Sequence, residues 1–138
     1  TKEIIEYGLG DEGEDIYTWA VVLKQTNEPI GFIRVYEIMP NNKTCKITWT
    51  LGYKWWNKGL SNEGLQKVID YLFDEYDFNV IISEHFTDFG DFKGKILEEI
   101  GMTKEAILRN RRINPLNNKV EDKIVYSILK EEFNNIDK

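Results

Sequence analysis

The residues with the most chemistry in their spacing are Tyr53-Lys54-Trp55-Trp56-Asn57-Lys58-Gly59-Leu60-Ser61-Asn62-Glu63. They lie between an alternating, β-rich run over 44–51 and a stripe of Leu65, Val68, Ile69, Leu72, Phe73 and Tyr76 at helical spacing. A strand that stops, a Gly-bearing turn and a helix that starts together form an anion site. The first helical amides lack internal acceptors and the helix dipole adds partial positive charge there. A phosphate fits such a place, and glycine lets the backbone come close to it. The plain alternative is an ordinary strand-to-helix turn. His85, the only histidine, follows a short apolar run over 79–83. It titrates near neutrality and is either a proton relay or a surface loop histidine.

The elements that must position these residues follow from pattern. Residues 1–9 are helix-like and end at Gly8 or Gly10, and 11–15 form an acidic loop. Strands are expected over 17–25, 30–38 and 44–51, joined by turns at 26–29 and 39–43, and such short turns require an antiparallel meander. A helix over 61–76 then leads to the buried strand 79–83, which is far enough along to pair in parallel with 44–51. A shorter helix marked by Phe92, Ile96, Leu97 and Ile100 closes at Gly101, and 104–113 with 120–129 form a hairpin. The class is α+β, a mixed, largely antiparallel sheet flanked by helices. With nothing strand-like before residue 17, the strand 17–25 has an open edge, which invites pairing with a second copy of the chain or with a strand that a longer natural form would supply.

Composition bounds the function. The 138 residues suit one domain, and a hydrophobic fraction of 41% supports a core. With 18 basic and 24 acidic residues the net charge is −6, which argues against nucleic acid as a partner. The local exception is Arg109-Asn110-Arg111-Arg112. It is either a solvated strand face with Arg109 paired to Asp122, or a contact for a phosphate or an acidic acceptor. Cys45 is the only cysteine, so one chain can form no disulfide, and a buried hydrophobe is its expected role. No apolar run reaches the ~18 residues of a membrane span, and the default setting is a reducing cytoplasm.

Three separate segments carry a resemblance to the GNAT acetyltransferase superfamily. Trp56-Asn57-Lys58-Gly59-Leu60-Ser61 resembles its coenzyme A pyrophosphate loop, Arg/Gln-x-x-Gly-x-Gly/Ala. The nearest branch, acting on ribosomal-protein N-termini and small substrates, reads Tyr-Trp-Gly-Lys-Gly-Tyr-Ala-Thr-Glu-Ala. Ile96-Leu97-Glu98-Glu99-Ile100-Gly101-Met102 is similar to the family's Val-Leu-Glu-Lys-Leu-Gly-Phe. Leu108-Arg109 with Asp122-Lys123-Ile124-Val125-Tyr126-Ser127-Ile128-Leu129 resembles its closing hairpin.

The resemblance implies a splayed sheet whose adjacent parallel strands diverge after Leu51 and Ser83, with the pantetheine arm of acetyl-CoA in the gap. Trp49, Thr50 and Leu51 would flank it through their backbone groups, and Asn57, Lys58, Gly59, Leu60, Ser61 and Asn62 would hold the pyrophosphate, with Trp56 beside them. His85 falls at the mouth of this cleft, where some members place a glutamate base. The family also carries a strand and a helix before the point where this chain begins, which are expected to be missing here. Departures from the pattern are Gly90-Asp91-Phe92-Lys93 in place of Asn-x-x-Ser, Leu97 in place of a tyrosine acid, and Lys46 in place of a glutamate. The implied activity is acetyl transfer from acetyl-CoA to a primary amine, on a small molecule or a protein N-terminus. The alternative is a catalytically silent coenzyme A-binding relative.

Overall fold

The computed structural model describes residues 16–87 and 92–135 in full and residues 2–7 as backbone. The acidic loop 11–15 and the Gly90-Asp91 departure lie outside the described residues. Among the described residues seven strands form one sheet in the order β1-β2-β3-β4-β5-β7-β6. They are β1 (Lys2–Tyr7), β2 (Tyr17–Leu23), β3 (Glu28–Met39), β4 (Thr44–Leu51), β5 (Val80–Phe86), β6 (Thr103–Ile113) and β7 (Val120–Leu129). The helices are α1 (Leu60–Glu75), α2 (Phe92–Glu99) and α3 (Lys130–Asn135).

β1 corrects the expectation of a helix over 1–9. It pairs antiparallel with β2 from Lys2↔Leu23 to Tyr7↔Thr18, so the edge expected to be open is covered. The reason for expecting a second copy at that edge falls away with it. β2, β3 and β4 form the expected meander. Its turns use left-handed Asn27 and Lys43, with Asn27 N–H bonded to the Leu23 carbonyl at 2.8 Å and Lys43 N–H to that of Pro40 at 3.3 Å.

α1 buries its stripe against the sheet: Leu65, Val68, Ile69, Leu72 and Phe73 are all buried. Each such side chain stabilises the fold by about 2 kcal/mol relative to exposure. The stripe overshoots by one residue, because Tyr76 is the extended C-cap and is partly exposed. On the sheet, Ile33, Val35, Ile47, Ile81, Tyr126 and Ile128 complete the core, together with Cys45. Burial pushes the Cys45 thiol up to about 12, so it is an inert filler, as expected. Among the described residues no helix is long and apolar enough to cross a membrane.

The parallel pair β4–β5 positions everything that follows. It contains only Thr44↔Val80, Cys45↔Ile81 and Lys46↔Ile82. Beyond these, β4 runs on to Leu51 and β5 to Phe86 without pairing, so the sheet splays after Lys46 and Ile82 rather than after Leu51 and Ser83. The closed end is pinned: Asn79 N–H donates to the Lys43 carbonyl at 2.7 Å, and the Asn79 carbonyl accepts from Lys130 N–H at 2.8 Å. At the open end β5 is drawn the other way, paired with β7 from Val80↔Leu129 through to Phe86↔Lys123.

Candidate active site

The loop from β4 to α1 begins with a single 3₁₀ turn at Tyr53–Trp55, held by Trp55 N–H to the Gly52 carbonyl at 2.9 Å. Asn57 and Gly59 both have positive φ, +61° and +71°. Asn and Gly are the residues that accept this conformation at least cost, so the replacement of the family's glycine by Asn57 preserves the loop shape. Gly59 caps α1, whose first internal bond runs from Glu63 N–H to the Gly59 carbonyl at 3.2 Å. Helix geometry leaves the amides of Leu60, Ser61 and Asn62 without intrahelical acceptors. A Cβ built on Gly59 meets nothing within 4 Å, so this backbone faces open space.

That space is a cavity of about 260 Å³ bounded by Asn57, Gly59, Leu60, Ser61 and Asn62 on one side and Phe92, Lys95, Ile96 and Glu99 of α2 on the other. A second hollow of about 120 Å³ is lined by Trp49, Thr50, Leu51, Trp56, Ser61, Phe92 and Lys93. Ser61 and Phe92 line both, so the two hollows adjoin and lead from the helix N-terminus onto the unpaired flank of β4. The arrangement accepts a phosphate at one end and an extended chain along a strand at the other.

Most of the sequence-derived cofactor residues meet here, with two qualifications. Lys58 is exposed and lines neither hollow. The Leu51 carbonyl already accepts a hydrogen bond from the Trp56 indole N–H at 2.9 Å. Trp56 is therefore a structural wall, stacked on Phe92 with centroids 5.2 Å apart. Trp49 is buried with the Lys93 ammonium 4.9 Å from its ring centre, so only its backbone remains as a contact.

Pattern reading missed Gly31 and the α2 wall. A Cβ on Gly31 would lie 2.1 Å from the Thr50 carbonyl oxygen, so glycine is what lets β3 lie flush against the strand that borders the cleft. Phe92, Lys95, Ile96 and Glu99 fall at i, i+3, i+4 and i+7, a helical-face signal that was present in the sequence. Asn62 Nδ2 donates to Glu99 Oε2 and joins the two helices across the cavity.

His85 corrects its expected position. It lies within β5 rather than past it, is 7% exposed, and stacks on Tyr126 with ring centroids 5.8 Å apart. The strand runs three residues beyond Ser83 because β7 supplies partners, Ile124 for His85 and Lys123 for Phe86. The Tyr126 hydroxyl lies 3.1 Å from Glu98 Oε1. Lys46, at the apex of the splay, binds Glu37 at 2.7 Å and Glu84 at 3.0 Å. The hydrogen bond its ammonium donates to Glu37, then the one it donates to Glu84, holds it above the ordinary lysine range although burial opposes this. A lysine held protonated in this way cannot act as a base near neutrality. The expected Arg109–Asp122 pair is replaced by two other contacts. Asp122 Oδ1 accepts from Asn110 N–H at 2.9 Å, and Arg112 pairs with Glu121 at 2.8 Å.

Comparison with known proteins finds relatives of both the sequence and the fold. The family profile "Acetyltransferase (GNAT) domain" covers residues 1–103, more than half of the chain, and the chain belongs to that family. The curated relative "Uncharacterized N-acetyltransferase p20" of Bacillus licheniformis is 29% identical over 115 residues, covering 83% of this chain. The chain spans 63% of that relative's length. Among solved structures, a ribosomal-protein-S5-alanine acetyltransferase from Vibrio fischeri superposes with a TM-score of 0.75 at 20% identity, over 84% of this chain and 62% of its own. A dodecameric spermidine N-acetyltransferase from Vibrio cholerae gives 0.79 at 18% identity, over 89% and 70%. At these identities the structures establish a shared fold.

Proposed function

We propose that residues 1–138 act as a single GNAT domain that transfers acetyl from acetyl-CoA to a primary amine by direct attack. The amine nitrogen bonds to the acetyl carbonyl carbon, the carbon–sulfur bond breaks, and coenzyme A leaves as thiol while the nitrogen loses a proton. No covalent enzyme intermediate is needed, since orientation alone can contribute ~7 kcal/mol or more. The observation that carries this reading is the continuity of the two hollows. The amides of Leu60, Ser61 and Asn62 would take the pyrophosphate, and the free flank of β4 at Trp49 and Thr50 would take the pantetheine arm. The single cysteine, buried and inert, supports a reducing cytoplasmic setting.

His85 would remove the amine proton. Its burial against Tyr126 confines it to acting through water or after a small movement of the β5 end. The acceptor is a primary amine of a class the fold leaves open, because one shared fold carries both a protein-alanine acetyltransferase and a spermidine acetyltransferase. The second reading, coenzyme A binding without turnover, is favoured by that same burial of His85. Thiol release from acetyl-CoA, measured with a panel of small amines and peptides, separates them. Turnover above the solvent rate supports transfer, and acetyl-CoA binding without it supports the silent relative.

A further inference from the structure

We infer that the β6 bulge is an acceptor-recognition site for a peptide with acidic side chains about three residues behind its amino terminus. This rests on the acyl-transfer reading of the cleft. β6 and β7 pair at Leu108↔Lys123 and again at Arg112↔Glu121, so Arg109, Asn110 and Arg111 stand opposite the single residue Asp122. The bulge is built rather than frayed. Asn110 has φ +52°, its N–H donates to Asp122 Oδ1 at 2.9 Å, and Asp122 N–H donates to Thr87 Oγ1 at 3.2 Å, just past the end of β5.

The three arginines divide by what they touch. Arg112 is structural: its guanidinium binds Glu121 Oε1 through Nε at 2.9 Å and Nη2 at 2.8 Å and lies 4.3 Å from the Phe86 ring centre. Asn114 holds the other Glu121 oxygen at 2.9 Å. Arg109 and Arg111 are exposed, and their side chains make no ion pair among the described residues. With Asn110 and Asp122 they line an open, polar hollow of about 530 Å³. Asp122, the one acidic group there among the described residues, is already engaged by the Asn110 amide. Two guanidiniums with no ion pair among the described residues, on a chain of net charge −6, have few evident uses in holding the fold, and each can grip a carboxylate through two parallel hydrogen bonds.

Position selects the ligand. β6 is two strands from β5, whose free flank borders the cleft, a distance of roughly 10 Å. An extended peptide advances about 3.3 Å per residue, so an amine in the cleft places its third or fourth residue at the bulge. The acidic overall charge and the small size of the patch, two arginines at the bulge, disfavour a polyanion such as nucleic acid.

The test is equilibrium binding of C-terminally labelled peptides, Ala-Gly-Glu-Glu-Gly against Ala-Gly-Gln-Gln-Gly, to the wild-type chain and to an Arg109→Gln/Arg111→Gln variant. Wild type should bind the acidic peptide about tenfold more tightly at low salt, with the preference shrinking as salt rises. The double variant should lose the preference, and Arg109→Glu/Arg111→Glu should favour a Lys-Lys peptide instead. Acetyl-CoA affinity should be the same in all three proteins, which separates this test from that of the cofactor site. Equal binding of both peptides by wild type, no binding of the acidic peptide, or a preference surviving in the Gln variant would each overturn the proposal. Displacement of the peptide by an oligonucleotide of equal charge at equal concentration would do the same.

Discussion

The two ends of the splayed cleft are built from different parts of the chain. At the α1 end the candidate binding groups are backbone: the amides of Leu60, Ser61 and Asn62, shaped by positive φ at Asn57 and Gly59. At the β5 end the candidates are side chains: His85 against Tyr126, Lys46 between two glutamates, and the arginines proposed to act at the β6 bulge. A backbone site tolerates substitution wherever the conformation survives, which is why Asn57 and Ser61 leave the loop intact. A side-chain site changes character with each residue, so the departures at Lys46 and His85 alter what that end can do.

The sharpest way to break this contrast is Gly59→Val. A side chain there projects into open space, so the stability cost is limited to left-handed strain of roughly 1–2 kcal/mol, while the cavity it enters is the one proposed to hold the phosphates. Calorimetry should show acetyl-CoA affinity falling by about a hundredfold or more, with a cooperative melt retained. Unchanged affinity would remove the loop from the binding site.

Gly31→Ala tests whether the pantetheine flank depends on the β3–β4 fit. The new methyl collides with the Thr50 carbonyl, so a destabilisation of about 1–3 kcal/mol is expected in urea unfolding, with weaker acetyl-CoA binding as β4 shifts. A loss of stability with full affinity would show that the flank does not carry the ligand.

At the side-chain end, His85→Ala should lower kcat by about tenfold, below the full contribution of a well-placed base, because the ring is buried. It should also flatten the acid limb of the pH profile. A variant with wild-type kcat and the same limb excludes His85 from proton transfer.

The smallest effect concerns the hairpin that carries the bulge. Asn114, and after it Arg112, holds the Glu121 carboxyl below the ordinary glutamate range, although burial opposes this. A lowered folded-state value means stability that is present above the unfolded value, ~4.3, and is lost as pH falls through the folded one. Urea midpoints of wild type should therefore decline below about pH 4 more steeply than those of Glu121→Gln. Parallel curves would show that the Glu121 contacts contribute nothing to folding.

The strand, loop and helix at the α1 end were legible because their determinants are local. A β-rich alternation, one glycine in a turn and a helical stripe lie within some thirty consecutive residues, and each is a short-range preference that the fold did not overturn. β1 was misread because Lys2-Glu3-Ile4-Ile5-Glu6-Tyr7 has apolar residues compatible with helix or strand. Pairing with β2 decided between them. The cross-hairpin partner of Arg109 was misjudged for a related reason. The bulge shifts register by two residues, and nothing local in Arg109-Asn110-Arg111-Arg112 says which residue will face Glu121.

What the sequence by itself determined is the order of elements from β2 to β7, the α+β class and the backbone geometry of the loop at Asn57 and Gly59, since these follow from propensity and periodicity along the chain. Where the sheet opens, which face His85 occupies, and which arginines are committed were decided only in three dimensions. The splay begins at Lys46 and Ile82 because β7, some forty residues downstream, draws β5 away while Asn79 pins its other end. Forces of that kind act between residues remote in sequence, so no local pattern records them.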